Sequence, residues 1–159
     1  MIIKHFEINK IKFDKHSIFL VYGENEGLKK EIIQTLKKKI SGNFENYDEG
    51  QIVSNNELFY EKLFNKSLFE KENNIIINRC SEKIYDVVEK IMDKNISDTK
   101  IILNSNILEK RSKLRNLFEK EKELIIVPTY KDTSITLTEI AKKFFCNYKI
   151  SISQETIIF

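Results

Sequence analysis

Loop-forming residues are scarce in this sequence, with four glycines and one proline among 159 residues. That leaves little room for long irregular stretches and predicts a chain made mostly of helices and strands. Cysteine is equally sparse. Cys80 and Cys146 provide neither metal-ligand spacing nor a disulfide framework, so both read as reduced thiols of a cytoplasmic protein. His5 and His16 have no cysteine or acidic partner at ligand spacing, and no metal or other cofactor is expected. No apolar run approaches the about 18 residues of a membrane span. Lys4, His5, Glu7 and Lys10 interrupt the apolar residues of the N-terminus, so it has no signal-peptide core. Charge of one sign is lacking as well. The 27 basic residues stand against 24 acidic ones, a net charge of +3, and such a mixture does not by itself mark a nucleic-acid binder.

What is present is enough for about one domain, with 41% hydrophobic and 32% charged residues, which argues against disorder. The abundant Lys, Asn and Ile suit an AT-rich coding genome, so part of the lysine content reflects composition. Ile18 to Tyr22 (IFLVY) is a continuous apolar run of the kind a strand buried on both faces requires. Leu28, Ile32, Ile33, Leu36 and Ile40 then recur at helical spacing, and Gly42 is a natural stop. Ser54-Asn-Asn-Glu57 has the spacing of a capping box and predicts a helix to about Phe64, with Leu58, Phe59 and Leu63 inward. Strands are expected at Ile75 to Asn78, Ile101 to Leu103 and Leu124 to Val127, the last stopped by Pro128. Helices are expected over Ile84 to Met92, over Ile107 to Lys120, and from a second capping box, Thr136-Leu-Thr-Glu139, with Leu137, Ile140, Ala141, Phe144 and Phe145 inward. The first 13 residues fit helix or strand equally. Strand and helix in alternation predict a three-layer α/β fold with a mainly parallel sheet.

The passage Phe19 to Ile40 has the outline of a phosphate-binding loop. That motif needs a glycine, four residues, a second glycine, then Lys and Ser or Thr, so that backbone N–H groups, an ammonium and a hydroxyl meet the phosphates and magnesium. Aligned on Gly23, Lys29 falls on the lysine position. Leu28 replaces the second glycine, Gly27 stands one place early, and Lys30 replaces the hydroxyl. Glu24 and Glu26 put carboxylates where phosphate oxygens would sit. The strand that should carry a magnesium-binding acid ends Ile77-Asn78-Arg79-Cys80. The outline of the loop is kept and its chemistry is missing, and no catalytic residue is assigned.

Two stretches carry a family resemblance. Leu20-Val-Tyr-Gly-Glu-Asn-Glu-Gly-Leu28 is similar to the L-x-Y-G-x-D-E-G-L signature of the delta subunit of bacterial DNA polymerase III, part of the sliding-clamp loader. Leu108-Glu-Lys-Arg-Ser-Lys-Leu-Arg-Asn-Leu-Phe-Glu119 resembles that family's L-x-K-R-S-K-L-R-x-x-F-E segment, particularly in its alphaproteobacterial branch, and is the more specific of the two. With Tyr130 in a Y-x-D segment and Ser67-Leu68-Phe69, the resemblance spans nearly the whole chain. It departs at Asn25, where the family usually has Asp, and at residues 70–74, which replace a commoner glycine and basic residues.

The resemblance implies a P-loop NTPase or clamp-loader ATPase-like fold with a degenerate phosphate loop at Gly23, Gly27 and Lys29. It implies a subunit that hydrolyses no ATP, binds the ring-shaped sliding clamp and favours its opening during DNA replication. Such a subunit would be associated with DNA-directed DNA polymerase activity only through its holoenzyme. The implied partners are the clamp, other clamp-loader subunits and, indirectly, primer-template DNA. The implied clamp contact is the exposed pair of Ser67, Leu68 and Phe69, with Phe64 on either surface. Burying each apolar side chain in a partner contributes about 1.5–3 kcal/mol. By spacing alone, the pair would simply extend the core side of its helix. Lys110, Arg111, Lys113 and Arg115 form a second candidate surface, for a neighbouring subunit or a DNA phosphate, with Arg111 and Arg115 on one helix face. The alternative for these is a solvated face neutralised by Glu109, Glu119 and Glu121. The expected organisation is an α/β domain over 1–147 and the start of a second small helical domain over 148–159, cut short. A P-loop kinase or ATPase with an atypical loop, or a scaffold domain of another complex, remain the alternatives.

Overall fold

The computed structural model describes residues 1–64, 73–94, 99–151, 153 and 156. The chain divides into two compact units, Met1–Thr129 and Tyr130–Phe159.

The first unit is an all-parallel five-stranded sheet in the order β2-β3-β4-β1-β5. Its strands are β1 (Ile18–Gly23), β2 (Asn43–Asp48), β3 (Asn73–Cys80), β4 (Ile101–Ser105) and β5 (Ile125–Thr129). The helices are α1 (Glu26–Lys39), α2 (Glu49–Ser54), α3 (Asn56–Phe64), α4 (Tyr85–Asp93) and α5 (Lys113–Lys120), with short 3₁₀ helices at His5–Lys10 and Glu82–Ile84. Parallel pairing needs a crossover at every step, and the apolar runs of β1, β3 and β4 are continuous because helices cover both faces. On one face, Ile32 and Leu36 of α1 pack with Phe19, Val21, Ile76, Ile102, Ile125 and Val127. On the other, Phe59 and Leu63 of α3, Val88 and Ile91 of α4, and Leu114 and Phe118 of α5 pack with Leu20, Tyr22, Ile77 and Leu103. Among the described residues no helix is long and apolar enough to cross a membrane.

The expected three-layer parallel fold is present, and several of its details differ. Residues 43–53, unassigned from sequence, hold β2 and all of α2 but its last residue. Ser54 ends α2, where its hydroxyl donates to the Gly50 carbonyl at 2.7 Å, so it does not cap the next helix. The box that operates here is Asp48 with Gln51, whose Oε1 accepts from the Asp48 N–H at 2.9 Å. Leu58 is exposed.

The helix expected from Ile107 begins six residues later, at Lys113, because the Ser112 side chain caps it by accepting from the Arg115 N–H at 3.0 Å. Strand β5 runs through Pro128. Ile126 directs its backbone outward, accepting from Ile3 at 2.9 Å and donating to Met1 at 3.1 Å. Pro128, two residues on, faces the same outer edge and needs no N–H.

The second unit contains α6 (Ser134–Asn147). Its capping box lies one turn earlier than expected, with Thr133 and Thr136 bonding reciprocally at 2.8 and 3.3 Å. Within its own unit the apolar stripe is not enclosed: Ile140 and Phe144 are exposed, although Phe144 packs edge-on to Phe145.

Candidate functional site

In an open parallel sheet, ligands enter the crevice beyond the strand ends where neighbouring strands send their helices to opposite faces. Here that point lies between β1, followed by α1 on one face, and β4, followed by α5 on the other. The passage Gly23 to Lys29 occupies it.

The chain itself fills this crevice. Gly23 has φ +136°, and a Cβ there would stand 2.0 Å from the Thr129 carbonyl oxygen. The approach of β5 therefore requires the glycine. Gly27 lies inside α1 with no such crowding, its nearest neighbour to a Cβ being 3.6 Å away. Asn25 caps α1. Its Oδ1 accepts from Leu28 N–H at 3.0 Å and its carbonyl from Lys29 N–H at 2.9 Å, so donors that a phosphate would use are already taken.

Lys29 is 1% exposed. Its Nζ donates to the Ser105 carbonyl at 3.0 Å and to Asn106 Oδ1 at 3.2 Å, and pairs with Glu26 Oε1 at 2.7 Å. An ammonium has three protons, and three acceptors surround this one. The Asn106 carbonyl also accepts from Gly23 N–H at 3.2 Å. At the next strand ends, Asn104 Nδ2 donates to Asn78 Oδ1 at 3.2 Å. Two neutral amides therefore face each other where a magnesium-binding acid would be needed. Among the described residues no group of three or more His, Cys, Asp or Glu side chains gathers as a metal site.

A cleft of about 780 Å³ opens beyond β3 and β4. Arg79, Ser81, Glu82, Tyr85, Leu108 and Lys113 are among the residues that line it. Arg79 sits in the irregular end of β3 with φ +58° and pairs with Asp48 at 2.5 Å. Glu49 accepts from the N–H and hydroxyl of Ser81 at 2.6 and 2.8 Å. Glu82 accepts from the Ser112 hydroxyl and from Lys113 N–H at 2.9 Å, placing a carboxylate at the start of α5. Burial, aided by the Glu49 carboxylate, pushes the Cys80 thiol far up and keeps it protonated.

The basic candidates do not form one face. Arg111 precedes α5 and pairs with Glu109 at 2.7 Å. Arg115 is turned inward, pairing with Glu119 at 2.7 Å, donating to the Leu108 carbonyl at 3.3 Å and lying 5.4 Å from the Tyr22 ring. Lys110 and Lys113 are exposed. Phe64 closes α3 half-buried, stacked on Tyr60 with ring centroids 5.6 Å apart, and Lys90 lies over the Tyr60 ring at 4.0 Å. Ser67, Leu68 and Phe69 lie outside the described residues. Sequence reasoning missed Ser105, Asn106, Glu49 and Glu82. The only sequence signal was the polar Asn104-Ser-Asn106 closing an apolar strand.

Sheet order, all-parallel pairing and helices on both faces define an α/β fold of the clamp-loader type. The particular similarity is to the DNA clamp loader delta protein of Bacillus subtilis (YqeN), at a TM-score of 0.62 and 14% identity. The match covers 96% of this chain and 50% of that one, so the chain spans half the length of that relative. No protein-family profile and no curated protein matches the sequence.

Proposed function

We propose that this chain is the clamp-engaging portion of a clamp-loader delta-like subunit, which binds a sliding clamp and favours ring opening without hydrolysing ATP. The observation that carries the non-hydrolysing part is the enclosure of Lys29, whose ammonium is spent on Ser105, Asn106 and Glu26; it supports reading Gly23 to Lys29 as a degenerate phosphate loop. The clamp-loader part is supported by the fold likeness to the delta protein together with the matching stretches at 20–28 and 108–119. In this reading Leu68 and Phe69 enter a groove on the clamp, the stacked Phe64 and Tyr60 anchor the end of α3, and Lys110 and Lys113 face a neighbouring subunit. The place of action is the cytoplasm.

The test is binding of the chain to its cognate sliding clamp. The Leu68→Ala, Phe69→Ala double variant is expected to lose binding at least tenfold while its circular dichroism spectrum is unchanged. Normal clamp binding by the folded double variant would overturn the contact assignment. Tight, magnesium-dependent ATP binding by the wild-type chain would overturn the non-hydrolysing reading in favour of an ATPase or kinase.

A further inference from the structure

Residues 79–82, at the end of β3, hold the starts of two helices at once. Asp48, the residue before α2, pairs with Arg79 at 2.5 Å. Glu49, the first residue of α2, accepts from the N–H and hydroxyl of Ser81 at 2.6 and 2.8 Å. The next residue in the chain, Glu82, accepts from the hydroxyl of Ser112, which caps α5, and from the N–H groups of Lys113 and Leu114 at 2.9 and 3.4 Å. One peptide unit, between Ser81 and Glu82, therefore separates the grip on α2 from the grip on α5. Every acceptor here is a carboxylate, and such bonds are roughly twice as strong as neutral ones.

The middle of this segment is pinned. Cys80 is buried in the apolar cluster, and its carbonyl accepts from the Ser105 hydroxyl at 2.6 Å. It lies opposite Ser105 after a register shift that follows Ile77. Within that irregularity Arg79 has φ +58°, a left-handed backbone that a residue with a side chain adopts only against a steric cost. Such a conformation persists where neighbouring bonds over-determine it, and the Asp48 and Glu49 contacts do so from either side of Cys80. On one side the segment borders open space, since residues 79–82 line the cleft beyond β3 and β4. Helix α2 in turn is tied to α3 through Asn55, whose N–H donates to the Ile52 carbonyl and whose carbonyl accepts from Phe59 N–H, both at 3.2 Å.

We infer that residues 79–82 are a strap that couples α2 and α3 to the start of α5, so that a partner bound at the end of α3 and a partner bound at Lys110 and Lys113 change each other's affinity. The identity of those partners rests on the clamp reading, whereas the mechanical link does not. Coupling of this kind needs an element with two arrangements that both sites bias. In one, Asp48 and Glu49 grip the strap and Arg79 is left-handed. In the other, that grip is released, Arg79 returns to negative φ, and the segment turns about Cys80. Glu82 follows Ser81 in this turn, so the first turn of α5 keeps its carboxylate in the first arrangement and loses it in the second. The effect acts with equal strength in both directions.

The experiment is amide hydrogen exchange of the full chain, followed residue by residue by NMR, free and with its cognate sliding clamp in excess. In the free chain, Glu49→Gln is expected to speed exchange at Lys113 and Leu114 at least about fivefold, the low end of coupling between sites, although the Glu49 carboxylate bonds Ser81 and not α5. Glu82→Gln is expected to do the same, by at least about fivefold, at Gln51 and Ile52 of α2, so the inference stays testable if one variant fails to fold. Lys38 and Lys39, in the last turn of α1, report general loosening and are expected to keep their rates. Glu109→Gln removes the partner of Arg111 just before α5 without touching the strap, and is expected to leave Gln51 and Ile52 unchanged. Excess clamp is expected to slow Lys113 and Leu114 of the wild-type chain at least about fivefold, and Glu49→Gln to abolish that slowing. Unchanged rates at the far end in both variants, or equal acceleration at Lys38 and Lys39, would overturn the inference. So would a wild-type chain that binds the clamp with no change at α5. A wild-type chain that binds no clamp overturns the clamp reading instead, and the free-chain rates then still decide whether the strap exists.

Discussion

A lysine removed from water is tolerated only where acceptors replace its hydration, and Lys29 meets that condition with a carbonyl, an amide oxygen and a carboxylate. Lys29→Met keeps most of the volume and strands the Ser105 carbonyl and the Asn106 amide without their donor. The variant is expected to lose about 2–3 kcal/mol of stability, seen as a lower urea midpoint at unchanged slope. A phosphate-binding lysine would behave in the opposite way, keeping stability and losing nucleotide affinity. The position of this lysine was legible in the sequence, but its task was not. Two of its three partners stand 76 and 77 residues away, and only the pairing of β1 with β4 brings them into reach. Gly23 is a similar case. Its place in the loop outline was plain, whereas the reason for it is a clash with Thr129, 106 positions further along the chain.

At the scale of elements, legibility followed burial on two faces. Strands β1, β3 and β4 announce themselves as continuous Ile, Leu and Val because each is covered above and below. Edge strand β2 does not. Its Phe44 packs with one cluster and its Tyr47 with the other, so the segment shows neither an apolar run nor a clean alternation. The helix ends were misplaced for a related reason: Ser, Thr and Asp are common enough that several capping boxes fit, and tertiary contacts select among them. Helix α5 illustrates this. Its first turn is held by Ser112 and, from 30 residues upstream, by Glu82. Glu82→Gln removes a charged acceptor at a helix N-terminus and is expected to cost about 1–2 kcal/mol. Urea unfolding measures that loss, and Glu82→Asp, which keeps the charge with a shorter reach, should recover part of it.

At the scale of the whole molecule, both hydrophobic clusters draw every member from Met1 to Val127. The division into Met1–Thr129 and Tyr130–Phe159 follows from that distribution. If the folding unit is the sheet with its five helices, a chain ending at Thr129 keeps every residue of both clusters, whose burial stabilises it in proportion to the area removed from water. Such a 1–129 fragment is expected to unfold in one cooperative transition, with a stability within about 1 kcal/mol of the full chain. A fragment ending at Asn147 is then expected to behave the same way. Urea titration of the two fragments beside the full chain separates the possibilities. Equal midpoints place the stabilising boundary at the end of β5. A 1–129 fragment that is unfolded or much weaker than 1–147 would instead make α6 part of the first folding unit, and would move the boundary to the residue where the apolar stripe of α6 ends.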